Sequence, residues 1–165
     1  MKRMRKILLF ALCIIVMHSC KKEEGDPRDS AAVGVLVKKV VVTEFPQKDG
    51  NLNWDYNDNS GPDLFIMISA GSGSYNVKWE SPVHTNAVNT VNHTFIPPSP
   101  VLLLNGLYIS LYDYDPGSSS DDYIGYVPDY YNNDFFNTKP DSILLEDYYS
   151  NLSMVVYVDY VYEGL

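Results

Sequence analysis

Leu107-Tyr108-Ile109-Ser110-Leu111-Tyr112-Asp113-Tyr114-Asp115-Pro116-Gly117-Ser118-Ser119-Ser120-Asp121-Asp122-Tyr123-Ile124-Gly125 is the stretch that decides how this chain is read. Its first six residues alternate strictly, which places Leu107, Ile109 and Leu111 on one face of a strand. Asp113 and Asp115 continue that parity, so both leave the strand end on the same side. With Asp121 and Asp122 they put four carboxylates in ten residues, between two apolar strand-like runs. Crowded like charges are unfavourable unless neutralised, and a hard cation with oxygen ligands neutralises them most directly, so the turn points to calcium. Solvation alone favours Asp in turns for backbone reasons, which accounts for Asp129 or Asp141 but gives no reason for the four together.

From Val33 onward the chain is rich in Val, Ile and Tyr, with turn residues about every ten positions and no helical period. Eight strands are expected: Val35–Phe45, Leu64–Ala70, Tyr75–Trp79, Thr90–Phe95, Leu107–Asp113, Tyr123–Val127, Ser142–Leu145 and Ser153–Tyr162. Short strands at that spacing predict an all-β fold, an eight-stranded antiparallel β-sandwich. Pro97-Pro98-Ser99-Pro100 cannot occupy a central strand and marks a crossing between elements. Asp129–Lys139 reads as a loop with a short helical turn. A second acid-rich turn, from Asp49 to Asp63, lies between the first two strands, so carboxylates of both turns can converge at one end of the sandwich.

The start of the chain reads differently. Lys2, Arg3, Arg5 and Lys6 precede an apolar run from Ile7 to Met17 that ends in Met17-His18-Ser19-Cys20. The run is too short to span a bilayer and reads as a secretory signal over residues 1–19, with Cys20 as the acylated first residue of a lipoprotein. Residues 20–32, mixed in charge and nearly without apolar side chains, read as a flexible tether, and residues 33–165 as the folded domain. The net charge is −9; the leader holds four of the 12 basic residues and none of the 21 acidic ones, which leaves −13 on the remainder. So acidic a chain is a poor partner for nucleic acid, which requires clustered cations. Cys20 is the one cysteine left after the leader, so no disulfide is expected and apolar burial must hold the domain.

Three segments together resemble the C2 domain, a calcium- and lipid-binding β-sandwich. Lys39-Val40-Val41-Val42-Thr43-Glu44-Phe45-Pro46 resembles the strand that leads into that family's first calcium loop. Gly61-Pro62-Asp63-Leu64-Phe65-Ile66 resembles its aspartate-bearing entry to the next strand. Leu111-Tyr112-Asp113-Tyr114-Asp115 through Asp122-Tyr123-Ile124-Gly125 resembles its third loop. The resemblance implies Asp113 and Asp115 as paired ligands, Asp122 (with Asp121 competing) as the final ligand of that loop, and Asp63 as a first-loop ligand. The family's earlier first-loop aspartate falls near Asn57, so Asp58 or Asp55 stands in for it. The family's lysine-rich, phosphoinositide-binding strand has no counterpart, since Lys38, Lys39, Lys48, Lys78 and Lys139 are the only basic residues of the domain.

Other readings are weaker. Asp55-Tyr56-Asn57-Asp58-Asn59 imitates the opening of an EF-hand loop, but Ser60 stands where glycine belongs and Ile66 where a bidentate glutamate belongs. Trp54 and Tyr56 are either an exposed ligand-contacting tip or aromatics folded back over the sandwich end. His84 and His93 have no acid–base or metal spacing, and Gly71-Ser72-Gly73-Ser74 is neither a nucleophile elbow nor a phosphate loop, so no enzyme is expected. The expectation is a lipoprotein of a bacterial cell envelope, anchored through Cys20 in the outer membrane or at the cell surface. Its calcium-binding C2-like domain would act as a binding or adaptor module toward phospholipid, glycan or protein. A carbohydrate-binding component and a calcium-stiffened spacer are the alternatives.

Overall fold

A β-strand that is half-buried places every second side chain inward, and Val35-Leu36-Val37-Lys38-Lys39-Val40-Val41-Val42 breaks that rule midway. Strict alternation would carry Lys39 into the core behind Val35 and Val37. In the computed structural model this stretch lies in β1 (Ala32–Glu44), and the register with its neighbour slips between Val37 and Lys39. Such a bulge resets the parity, so Val40 and Val42 turn inward and are fully buried. Both lysines stay outside the core: Lys38 pairs with Asp159 at 2.7 Å, and the Lys39 ammonium lies 3.6 Å from the centre of the Tyr157 ring.

The described residues are 32–55, 60–70, 76–104, 107–116, 121–129 and 133–163, and they belong to the unit Ala31–Leu165. The expected leader, Cys20, most of the tether, Tyr56, Asp58 and the Gly71–Ser74 and Gly117–Ser120 turns lie outside them.

The remaining elements follow in order: β2 (Leu64–Ser69), β3 (Val77–Glu80), β4 (His93–Phe95), β5 (Val101–Leu103), β6 (Leu107–Asp113), β7 (Asp122–Asp129), α1 (Asn133–Thr138), β8 (Ser142–Asp147) and β9 (Leu152–Tyr162). Among the described residues every strand pairing is antiparallel. One sheet runs β4-β1-β9-β8, with β5 also on β1, and the other β3-β2-β6-β7. This is the antiparallel sandwich expected from the alternating pattern, with nine strands among the described residues in place of eight.

The added strand is β5, and the proline run explains why it escapes a sequence reading. Val42 to Val40 pair with His93 to Phe95, and Val37 to Val35 with Val101 to Leu103, so β4 and β5 lie end to end along one edge of β1. Pro97, Pro98 and Pro100 have no N–H to offer, so the edge must leave the ladder between them. Three residues of apolar sequence after a proline run carry too little periodicity to be read as a strand.

The core is where the two inner faces meet. Val35, Val37, Val40, Val42, Met154, Val156 and Val158 from one sheet face Leu64, Ile66, Ile68, Leu107, Ile109 and Leu111 from the other. Leu107, Ile109 and Leu111 are at most 1% exposed, as the alternation of that strand demands.

Candidate metal site

Because Asp113 is the next inward position after Leu111, the parity that fills the core also draws a carboxylate into it. Asp113 ends β6, pairs in register with Leu64 on one side and Asp122 on the other, and is 0% exposed. Its Oδ1 accepts the backbone N–H of Asp63 at 2.6 Å. Its Oδ2 is buried and has no hydrogen-bond partner. An ionised oxygen in that position is costly, because burial favours the neutral form. Burial accordingly raises the Asp113 carboxyl to about 7, against the lowering effect of the Asp63 N–H and with the help of the charges on Asp55, Asp115 and Asp63.

The two acidic turns do converge. One carboxylate oxygen each of Asp55, Asp113 and Asp115 lies within 4.8 Å of the others. Asp115 is also raised above the ordinary carboxylate range, first by burial and then by Asp122, Asp55, Asp121 and Asp63. Asp55 is held at the base of its loop: it bridges to Ser60, whose hydroxyl donates to Asp55 Oδ2 at 2.8 Å. Of the two residues the sequence left open for the first loop, Asp55 therefore stands at the cluster, and Asp58 lies outside the described residues.

Asp63, Asp121 and Asp122 stand around the trio. Asp63 Oδ1 accepts the N–H of Asn86 at 2.7 Å, and Asp63 C=O accepts the N–H of Tyr114 at 2.8 Å, so this residue joins three loops while its charge acts on both Asp113 and Asp115. Asp121 Oδ1 accepts the N–H of Asp115 at 3.2 Å, closing the third loop on itself. Asp122 is exposed at the start of β7 and is the largest of the charges acting on Asp115. Trp54 packs against the core and donates its indole N–H to the Pro46 carbonyl at 2.9 Å, which is the folded-back arrangement rather than a free tip. Tyr56 lies outside the described residues.

Sequence reasoning missed the segment that braces the first loop. Asn89 binds the Phe45 backbone with both ends of its amide: Oδ1 accepts the Phe45 N–H at 3.0 Å and Nδ2 donates to the Phe45 carbonyl. His84 exchanges two backbone hydrogen bonds with Leu64, at 2.8 and 2.9 Å, and Ala87 N–H donates to Pro62 C=O at 2.8 Å. This approach is so close that a Cβ on Gly61 would collide with the Ala87 carbonyl oxygen. Asn86 adopts a left-handed φ of 52°, a conformation asparagine tolerates, and thereby aims its N–H at Asp63. A glycine beside Pro62 and asparagines in a turn are too common in sequences to announce any of this.

Three carboxylates, one of them carrying a buried and unpartnered oxygen, are suited to a hard divalent cation, whose charge would remove the desolvation penalty on Asp113 and the repulsion within the trio. The two described histidines take no part: His93 Nε2 meets the Val88 carbonyl at 3.1 Å, and His84 stacks on Phe95 with ring centres 4.4 Å apart.

No protein-family model matches the chain, and no curated protein matches it. Among solved structures it is similar to a C2 domain, with 13% identity and a TM-score of 0.47 over 78% of this chain and 97% of that one. It is also similar to BON1-C2B, at 14% identity and a TM-score of 0.45 over 86% of this chain and 97% of that one. A third is a C2 domain of plant extended synaptotagmin 1, at 17% identity and a TM-score of 0.44 over 81% of this chain and 98% of that one. These structures are all C2 domains, the family that the three sequence segments resemble.

Proposed function

We propose that this chain is a calcium-binding β-sandwich module of the bacterial cell envelope, tethered to the membrane through Cys20 and acting as a binding adaptor. The buried, unpartnered Oδ2 of Asp113, a residue whose carboxylate clusters with those of Asp55 and Asp115, is the observation that carries the calcium reading. A lone carboxylate oxygen drawn into a core and left without a donor is rare in folded proteins and calls for an explanation, and a bound cation is the simplest. Asp55, Asp113 and Asp115 would hold the ion, which would fix the first and third loops to each other and leave its outer coordination positions to a ligand with phosphate, carboxylate or sugar oxygens. Outside the cytoplasm calcium is abundant, so a site with Kd of ~10⁻⁴–10⁻³ M would be filled. The leader supports the anchoring: a basic start, a short apolar run and a cysteine directly after Ser19.

The test is a thermal melt with calcium, with magnesium and with chelator. At ten times Kd, calcium should stabilise the protein by about 1.4 kcal/mol, magnesium should do less, and Asp113→Asn with Asp115→Asn should remove the response. An equal midpoint with calcium and with chelator would refute the reading. For the anchor, Cys20→Ser should abolish fatty-acid labelling in a bacterial host; undiminished labelling would rule the anchor out.

A further inference from the structure

On the outer face of the β3-β2-β6-β7 sheet, where β3 presents the exposed Glu80 opposite Met67, the central strand β6 turns no charge outward. Solvent-facing positions of an antiparallel sheet usually carry charged or long polar side chains. Here β6 turns Tyr108, Ser110 and Tyr112 outward, the positions between its core residues Leu107, Ile109 and Leu111. Ser110 stands between two rings on its own strand and pairs in register with Met67 of β2 and Tyr126 of β7. A small side chain surrounded by large ones leaves a notch, and the notch is a hollow of about 260 Å³. Ser110 and Ser69 lie in its lining and are 8% and 3% exposed.

The walls are aromatic and ordered. The rings of Tyr108 and Tyr126 stack at 5.2 Å and 14°. A register slip between Leu111 and Tyr112 brings Tyr123 opposite Tyr112, and those rings meet at 66° with centres 5.5 Å apart. Tyr123 and Tyr126 remain 49% and 37% exposed, so ring surface stays open to a ligand. Burial, and then the neighbouring phenols of Tyr108, Tyr126 and Tyr112, holds the Tyr123 hydroxyl above its ordinary value, so it stays a neutral donor.

We propose that this tyrosine-walled hollow binds a neutral carbohydrate. No charged side chain lines it, among the described residues, so an anion finds no counter-charge. The chain's net charge of −9 further opposes an anionic ligand. A purely aliphatic ligand would cover the Ser110, Ser69 and Tyr123 hydroxyls and offer them nothing to pair with. A sugar ring meets both demands, laying its C–H face on a tyrosine ring and presenting its hydroxyls to those three groups. The volume lies just under the roughly 300–1,000 Å³ of pockets for drug-sized ligands, which fits one or two sugar units of a longer chain. The hollow shares no residue with the Asp55, Asp113 and Asp115 trio and does not depend on calcium there.

Isothermal titration of the full chain, in chelator, with cello-, malto-, xylo-, manno- and chito-oligosaccharides tests this. Saturable binding of at least one is expected. Tyr126→Ala should weaken it by roughly three- to tenfold, the loss expected for one aromatic contact. Ser110→Leu, which fills the notch and keeps every ring, should abolish it, with circular dichroism melts verifying that each variant is folded. The proposal is overturned if no oligosaccharide binds, if either folded variant binds like the parent, or if binding needs calcium and disappears in Asp113→Asn.

Discussion

Replacing Asp113 with asparagine should stabilise the calcium-free protein, against the usual rule that altering a fully buried residue destabilises. The carboxyl titrates at about 7 in the folded chain against 3.8 as an ordinary aspartate, so the folded state holds a proton that the unfolded state has released. A raised carboxylate pKa makes stability fall as pH rises between those two values. With a gap of about three units, the ionised form costs at most about 4 kcal/mol at pH 8, solvent screening lowering the figure, and less than about 1 kcal/mol remains at pH 4. The asparagine side chain keeps the Oδ1 that accepts the Asp63 N–H, and its amide nitrogen puts an uncharged group where the aspartate has an unpartnered Oδ2. Denaturant melts of parent and Asp113→Asn should be run in chelator from pH 4 to pH 8. The variant should gain up to about 4 kcal/mol at pH 8, and the gain should shrink to under about 1 kcal/mol at pH 4. In saturating calcium the order should narrow or reverse, because only the parent gains from the ion. A variant less stable than the parent at pH 8 in chelator, or a gain independent of pH, would overturn the picture of a charge trapped in the core.

Two further substitutions probe how the first loop is held. Gly61→Ala should cost about 1–3 kcal/mol in a denaturant melt, since the Ala87 carbonyl oxygen in the path of the new Cβ must move; a cost near zero would show that the loop yields freely. Asn89→Ala removes both partners of the Phe45 backbone and should cost about 1–3 kcal/mol and weaken calcium affinity measured by calorimetry; unchanged affinity would separate that brace from the site.

The sheet pattern and the identity of the acidic turns were legible along the chain. Alternation at Leu107, Ile109 and Leu111 is a local property of one strand, and extending its parity by one step to Asp113 was enough to place that carboxylate at the strand end on the core side. The residues that complete the trio were not settled locally. Asp55 comes from a loop 58 residues away in sequence, and whether it or a neighbour meets Asp113 depends on the Ser60 bridge and on Asp63 being drawn to Asn86. The ninth strand was hidden because three residues carry no readable period, and β1 alone supplies the ladder that makes them a strand. The tyrosine hollow was equally invisible: Ser110 is an ordinary strand residue until register sets Met67 and Tyr126 beside it. Periodicity is written along one strand, whereas ligand sets and hollows arise from register between strands, which loops and bulges fix only in the folded chain.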